Sequence, residues 1–364
     1  MYAHTFGSDN HAPAHPDVLA ALSAANHGHA LPYGADEVTR HAVDVVRRRI
    51  GSPDGAVAFV FNGTGANLVG LGLALKPWQH VICATSAHIA VDECGAPERL
   101  LGVKLVEIDT VDGKLTPDLV RASISGVGDE HRTQPGAVSI TQSTELGTVY
   151  SPDEVADLAD AAHDLGMLLH VDGARLANAA AALDVPLSAI TTDCGVDVLS
   201  LGGTKNGMLG AEAVAVLRPE RWDRLADDLP SARKQLGQLG SKGRYLAAQF
   251  LALYEGDLWR RNAGHANAMA GRLADGVRGL PAVQITRPVQ ANAVFALLPP
   301  QALAPLQQRF GFTTWDERTG EIRWMCSWDT TEADVDELVT ALADAVGDAG
   351  PRVWPAAGSG TTRA

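Results

Sequence analysis

Three stretches of this chain carry residue types that could do chemistry. The first is Ser200-Leu201-Gly202-Gly203-Thr204-Lys205-Asn206-Gly207, a glycine-rich turn with one lysine, set between the apolar runs 196–199 and 213–217. Glycine lets a backbone bend sharply and lets a ligand come close. A lysine walled by apolar strands can shed its charge and act as a nucleophile, whereas on an open loop it is only a solvated cation. The second stretch, His170-Val171-Asp172-Gly173-Ala174-Arg175, puts a carboxylate and a guanidinium just past a strand. Asp172 there either caps the next helix or faces a ligand at the carboxyl edge of a parallel sheet. The third, Asn62-Gly63-Thr64-Gly65-Ala66-Asn67, leads from a strand into a helix through small residues. Such a turn leaves backbone N–H groups free at the helix N-terminus, which suits a phosphate. It has neither the lysine of a P-loop nor the spacing of GxGxxG.

A phosphate turn, a strand-end carboxylate and a strand-end lysine are together what a pyridoxal phosphate enzyme needs. The lysine holds the cofactor aldehyde, the carboxylate keeps the pyridine nitrogen protonated so that the ring draws in electrons, and the helix N-terminus takes the phosphate. One helix and one strand separate Asp172 from Lys205, which fits neighbouring parts of one sheet. The rival outside this chemistry is a nucleotide-binding α/β protein built on the Asn62–Asn67 turn, and the missing GxGxxG counts against it.

These residues need a scaffold, and the hydrophobic pattern supplies one. Strands are expected over 57–61, 81–84, 104–108, 138–142, 167–171, 196–199 and 213–217. Helices are expected over 17–26, 36–50, from the Asn62 turn to 75, from 116, over 152–165 with Ser151 as N-cap, and over 174–183. Alternation of this kind predicts an α/β fold with a mainly parallel sheet covered by helices. Past Pro219 the pattern changes to a long helix over 243–278 bounded by Pro281, strands over 293–298 and 322–326, and helices over 300–309 and 331–346, a smaller α+β unit. The expected organisation is an arm over 1–16, a large domain over 17–250, a small C-terminal domain over 251–347 and a disordered tail over 348–364.

Composition removes several classes. A net charge of −14 argues against nucleic acid or an anionic membrane as partner. No apolar run approaches the roughly 18 residues of a membrane span, and no basic and then apolar leader opens the chain. Cys83, Cys94, Cys194 and Cys326 are scattered without a CxxC, which predicts reduced thiols and a cytoplasmic protein. His11 and His15 are spaced as a helical metal pair would be, but Pro13 and Pro16 spoil the helix, so no metal site is expected.

With those residues in view the chain resembles the low-specificity L-threonine aldolases, of the fold-type I (aspartate aminotransferase-like) class of pyridoxal phosphate enzymes. The likeness runs to about Val346 and rests on the three stretches above together with Phe6–Asn10, Pro32–Gly34, Ala87-His88, Asp92–Glu98 and Arg323–Asp329. It is strongest to the proteobacterial branch whose lysine turn reads GGTKNG. The resemblance implies that Lys205 bonds the cofactor, Asp172 pairs with the pyridine nitrogen, His88 stacks on the ring, and Gly63 and Thr64 bind the phosphate. It implies that Ser8, Tyr33, Arg175 and Arg323 hold the substrate. Lys234 and Lys242 fall where the family brings cations toward the phosphate from a neighbouring subunit, in a homotetramer of dimers with active sites at the interface. Many members carry a second histidine in a stretch like ENTHNG. Here that stretch is Gln142-Ser143-Thr144-Glu145-Leu146-Gly147, so Glu145 stands in the histidine's place.

The reaction expected is retro-aldol cleavage of L-threonine, L-allo-threonine and other L-3-hydroxy amino acids to glycine and an aldehyde, with the reverse addition. His88 is expected as the base on the β-hydroxyl, with Glu145 orienting that hydroxyl or a water. A phenylserine-preferring aldolase, or another pyridoxal phosphate β-eliminating lyase or racemase, would use the same Lys205 and Asp172. Glycine plus aldehyde, against pyruvate plus ammonia, separates the aldolase from the eliminating lyase.

Overall fold

The alternating apolar runs and helical stretches fold into a helix-covered sheet. The computed structural model describes residues 4–347 apart from 223 and 281, so the expected disordered tail and the Pro281 boundary lie outside the described residues. Among the described residues, β1 (Ala56–Val60), β2 (Gln79–Ala84), β3 (Lys104–Ile108), β4 (Gln134–Thr141), β5 (Leu168–Gly173), β6 (Val198–Leu201) and β7 (Glu212–Val216) form one sheet in the order β1-β7-β6-β5-β4-β2-β3. Strands β2 to β6 run parallel, and β7 lies antiparallel between β1 and β6. Strands β5, β6 and β7 are buried at every position, which is why they read as continuous apolar runs. Asp172 pairs with Thr141 on one side and Ser200 on the other, so the exits of β4, β5 and β6 share one edge.

The helices are α1 (Pro16–Ala25), α2 (Glu37–Arg49), α3 (Gly63–Ala74), α4 (His88–Val91), α5 (Pro117–Ser123), α6 (Pro152–Asp164), α7 (Leu176–Leu183), α8 (Leu225–Gln235), α9 (Arg244–Tyr254), α10 (Leu258–Arg278), α11 (Pro300–Phe310) and α12 (Glu332–Gly347). Ser151 caps α6 in a reciprocal box with Glu154. The single helix expected over 243–278 is two. It breaks at Glu255-Gly256-Asp257, where the Arg49 side chain donates to the carbonyls of Tyr254, Glu255 and Gly256 and satisfies the helix end. Helix α8 was not expected, and it carries Pro230 in its interior.

The second sheet is antiparallel, with β8 (Gln284–Ile285), β9 (Ala293–Leu297), β10 (Thr313–Asp316) and β11 (Glu321–Met325) in the order β10-β11-β9-β8. Its core includes Trp324, Ile322, Val294, Leu338 and Leu342. Phe6, from the N-terminal arm, is buried in that core and hydrogen-bonds through its backbone to Phe310 and Met325. Helix α10 belongs to both cores. Leu258, Trp259 and Ala263 pack with the large sheet, while Met269, Leu273 and Val277 pack with the small one.

Candidate active site

At the exits of β5 and β6 the N-terminus of α3 faces the lysine turn across a cleft with about 710 Å³ of empty space. Gly63, Thr64, Asn67, His88, Asp172, Thr204, Lys205 and Glu212 line it. The turn is glycine for steric reasons. A Cβ on Gly202 would stand 2.5 Å from the Ala174 carbonyl oxygen, and Gly207 has φ +104°, where side chains rarely fit. Glu212, buried beneath the turn, accepts from the Gly203 N–H at 2.7 Å. Burial pushes its carboxyl up to about 7, against the pull of its hydrogen bonds and of the Lys205 charge.

A chain of hydrogen bonds crosses the floor of the cleft. Asp172 accepts from the Ala174 N–H at 3.0 Å and from the Asn67 amide at 2.9 Å. The same amide donates to Glu93 at 2.8 Å, and Glu93 pairs with His88 Nδ1 at 2.9 Å. The hydrogen bond that His88 Nδ1–H donates to Glu93 holds the His88 pKa above its ordinary value. Burial works against this, and the charges of Asp172 and Glu145 add to it. With Nδ1–H on a carboxylate, Nε2 is left as the acceptor. His88, Glu93 and Asp172 each offer one ligand atom within 4.8 Å of the others. The Asn67 amide protons already point at both carboxylates, a hydrogen-bonded arrangement that needs no cation.

Arg175 leaves β5 and enters a buried ion cluster. Its Nε and Nη2 grip Asp9 at 2.7 and 3.0 Å, and Asn292 donates to the same carboxylate at 3.1 Å. Burial disfavours the Asp9 charge, but Arg175 and Lys205 outweigh it and bring the carboxyl down to about 2. Burial likewise opposes the Arg175 charge, and Asp9 and Glu145 reverse that and raise its pKa. Arg323, on β11, reaches the same place from the small sheet and lies over the Trp315 ring, 4.5 Å from its centroid. Burial and the neighbouring Arg175 lower its pKa. Glu145 stands between the two guanidinium groups, 3.7 Å from Arg175 and 3.9 Å from Arg323.

The remaining expected residues lie apart. Ser8 caps the short turn Asp9–His11 by accepting from the Asn10 N–H, and Asn10 in turn lines the cleft. Tyr33 is 51% exposed, Lys234 sits 5.9 Å from its ring, and Lys242 lines a separate groove with Gly28 to Pro32. None of these three lines the cleft of its own chain. His11 bonds Thr5, and His15 caps α1. Asp9, Asn67 and Glu93 fall inside motif stretches that carry the resemblance, but their types alone gave them no role. Glu212 and Asn292 fall outside every such stretch.

The cleft fits pyridoxal phosphate by its own features. Asn67 has a buried amide oxygen without a partner, a Cβ on Gly63 would meet nothing within 4 Å, and Asp172 lies on the same lining as Lys205. Residues 5–299 match the Beta-eliminating lyase family, and the chain belongs to it. Within that class it is 42% identical over 339 residues to a low specificity L-threonine aldolase of a Pseudomonas species, covering 93% of this chain and 96% of the relative. The Pseudomonas aeruginosa protein of the same name is 42% identical over 93% of this chain and 97% of its own. A solved Leishmania major threonine aldolase superimposes with a TM-score of 0.87 at 30% identity, covering 94% of this chain and 99% of that one. The Thermus thermophilus aspartate aminotransferase shares the fold, with a TM-score of 0.68 at 16% identity, covering 93% of this chain and 90% of that one.

Proposed function

We propose that this protein is a pyridoxal phosphate-dependent aldehyde-lyase that cleaves L-threonine and other L-3-hydroxy amino acids to glycine and an aldehyde, and catalyses the reverse addition. The observation that carries the reading is the convergence on one cleft of Lys205, Asp172, the α3 N-terminus and a histidine held by a carboxylate. Lys205 is the covalent anchor, Asp172 the partner of the pyridine nitrogen, and the Gly63 and Thr64 N–H groups the phosphate seat. When bound, the cofactor supplies the electron sink for the breaking Cα–Cβ bond.

The chain's own residues do the rest. Arg323, with the one Arg175 edge that Asp9 leaves over, binds the substrate carboxylate and fixes its orientation. His88 Nε2 takes the β-hydroxyl proton as the carbon–carbon bond breaks, and Glu93 steadies the imidazolium that results. Because Glu93 raises the His88 pKa, the acid limb of the activity profile is expected at higher pH than an unperturbed histidine would give. Tyr33, Lys234 and Lys242, exposed and outside their own cleft, serve a neighbouring subunit in a homotetramer built from dimers. Four unpaired cysteines support a cytoplasmic setting.

The test is product analysis. Purified protein supplied with cofactor and L-threonine yields glycine and acetaldehyde in equal amounts. Ammonia and a 2-oxo acid in their place would assign an eliminating lyase instead.

A further inference from the structure

The carboxylate subsite already contains a carboxylate. Glu145 is buried, and its charge faces both arginines that would receive a substrate head group. It touches neither at hydrogen-bond distance, and its Oε1 is a buried oxygen without a hydrogen-bond partner. Nothing in the geometry uses it as a donor's fixed acceptor, so its effect on the arginines is one of charge. Arg175 has a second anion in Asp9, bound through both Nε and Nη2. Among the described residues Arg323 has no such partner within salt-bridge range besides Glu145; another close neighbour is the Trp315 ring. The charged groups nearest this point are Arg175, Arg323, Asp9 and Glu145, two cations and two anions, with Lys205, His88, Asp92 and Asp172 on the margin. The four nearest charges balance before any substrate arrives.

We propose that Glu145 is a built-in counter-ion of the substrate-carboxylate subsite, a positioning and specificity residue that keeps Arg175 and Arg323 together when the site is empty and weakens their hold on carboxylates. A site of two bare arginines would bind the product glycine tightly and would accept a second acidic group. One internal anion about 4 Å from each guanidinium lets the product leave and disfavours substrates with acidic side chains. This rests on the carboxylate subsite proposed above, and it assigns Glu145 a task different from orienting the hydroxyl.

The test is Glu145→Gln in the cofactor-loaded protein, read by calorimetric titration with glycine and by thermal unfolding in acetate against chloride at equal ionic strength. Removing one facing charge tightens glycine binding about tenfold. Acetate raises the unfolding temperature of the variant more than that of the wild type, because only the variant lacks an anion at that point. Glu145→Asp keeps the charge on a shorter stem, binds glycine with intermediate affinity and gives a smaller acetate effect. If Glu145→Gln folds only in acetate, that rescue supports the proposal. If it folds in neither salt, Glu145→Asp decides, and unchanged glycine affinity there overturns it. A Glu145→Gln protein that binds glycine no tighter, shows no acetate effect and loses only kcat also overturns it, and would make Glu145 a partner of the hydroxyl. An acetate effect without threonine cleavage would refute the reaction assigned above while upholding the counter-ion.

Discussion

The Asp9–Arg175 pair joins the N-terminal arm to the exit of β5, and Asp9→Asn tests what it contributes. The substitution keeps shape and removes the charge. A carboxyl brought from 3.8 to about 2 holds about 2.5 kcal/mol of folding stability. The folded value is depressed, so this contribution is complete above the unfolded value of 3.8 and drains away as pH falls through about 2. The variant also leaves the Arg175 guanidinium buried without its main anion, and breaking a buried pair costs about 3–5 kcal/mol. We expect Asp9→Asn to be less stable than wild type at pH 7 by roughly 2–5 kcal/mol. We expect the gap to narrow as pH is lowered from about 5 to about 3, because only the wild type has that carboxylate to protonate. Urea unfolding followed by circular dichroism across this range reads both quantities. A gap that stays constant over the whole range would refute the reasoning, since it would mean that the lost stability is packing and not charge.

The other expectations concern catalysis. Lys205→Ala abolishes turnover, and borohydride fixes cofactor to Lys205 in the wild type; peptide mapping that finds another lysine labelled would remove Lys205 from its role. His88→Asn lowers kcat by about 10²–10⁴ and erases the acid limb of the rate profile, with glycine binding retained as the control. Glu93→Gln removes the main cause of the raised His88 pKa, so the acid limb moves to lower pH; an unmoved limb would separate Glu93 from the base. Arg323→Ala weakens amino-acid binding by about 2–4 kcal/mol, measured by titration, whereas Arg175→Ala first lowers stability because Asp9 is left buried without its cation.

The large sheet was legible in the sequence because its central strands are buried on both faces and read as apolar runs between glycine turns. Helix α8 was not, because Pro230 and its Asp and Arg neighbours hide a helix held by tertiary packing of Leu225 and Leu229. Strand β4 starts at Gln134, before the expected 138, because its opening Pro135 and Gly136 discourage a strand reading. In the site, Lys205 and Asp172 stood out by type and position, and His88 was singled out through the resemblance. Glu93 did not stand out, since a glutamate in a loop carries no sign that it will meet an imidazole. Nor did Asp9, whose partner Arg175 is brought to it only by the fold; Glu145 was expected in the site, but its place between Arg175 and Arg323 was not, since the two arginines come from different parts of the fold.

Helix α10 has a mechanical consequence. It is one rigid rod whose two halves are glued into different cores. Neither core can melt without stripping the wall from the other, so the two sheets are expected to lose structure together. The cluster from Asp9 through Arg175 and Glu145 to Arg323 crosses the same seam, since one arginine stands just past the exit of β5, at the start of α7, and the other on β11. A small acid held by both guanidinium groups would work as a rivet through that seam. Its binding would stiffen the joint between the two sheets as well as fill the cleft.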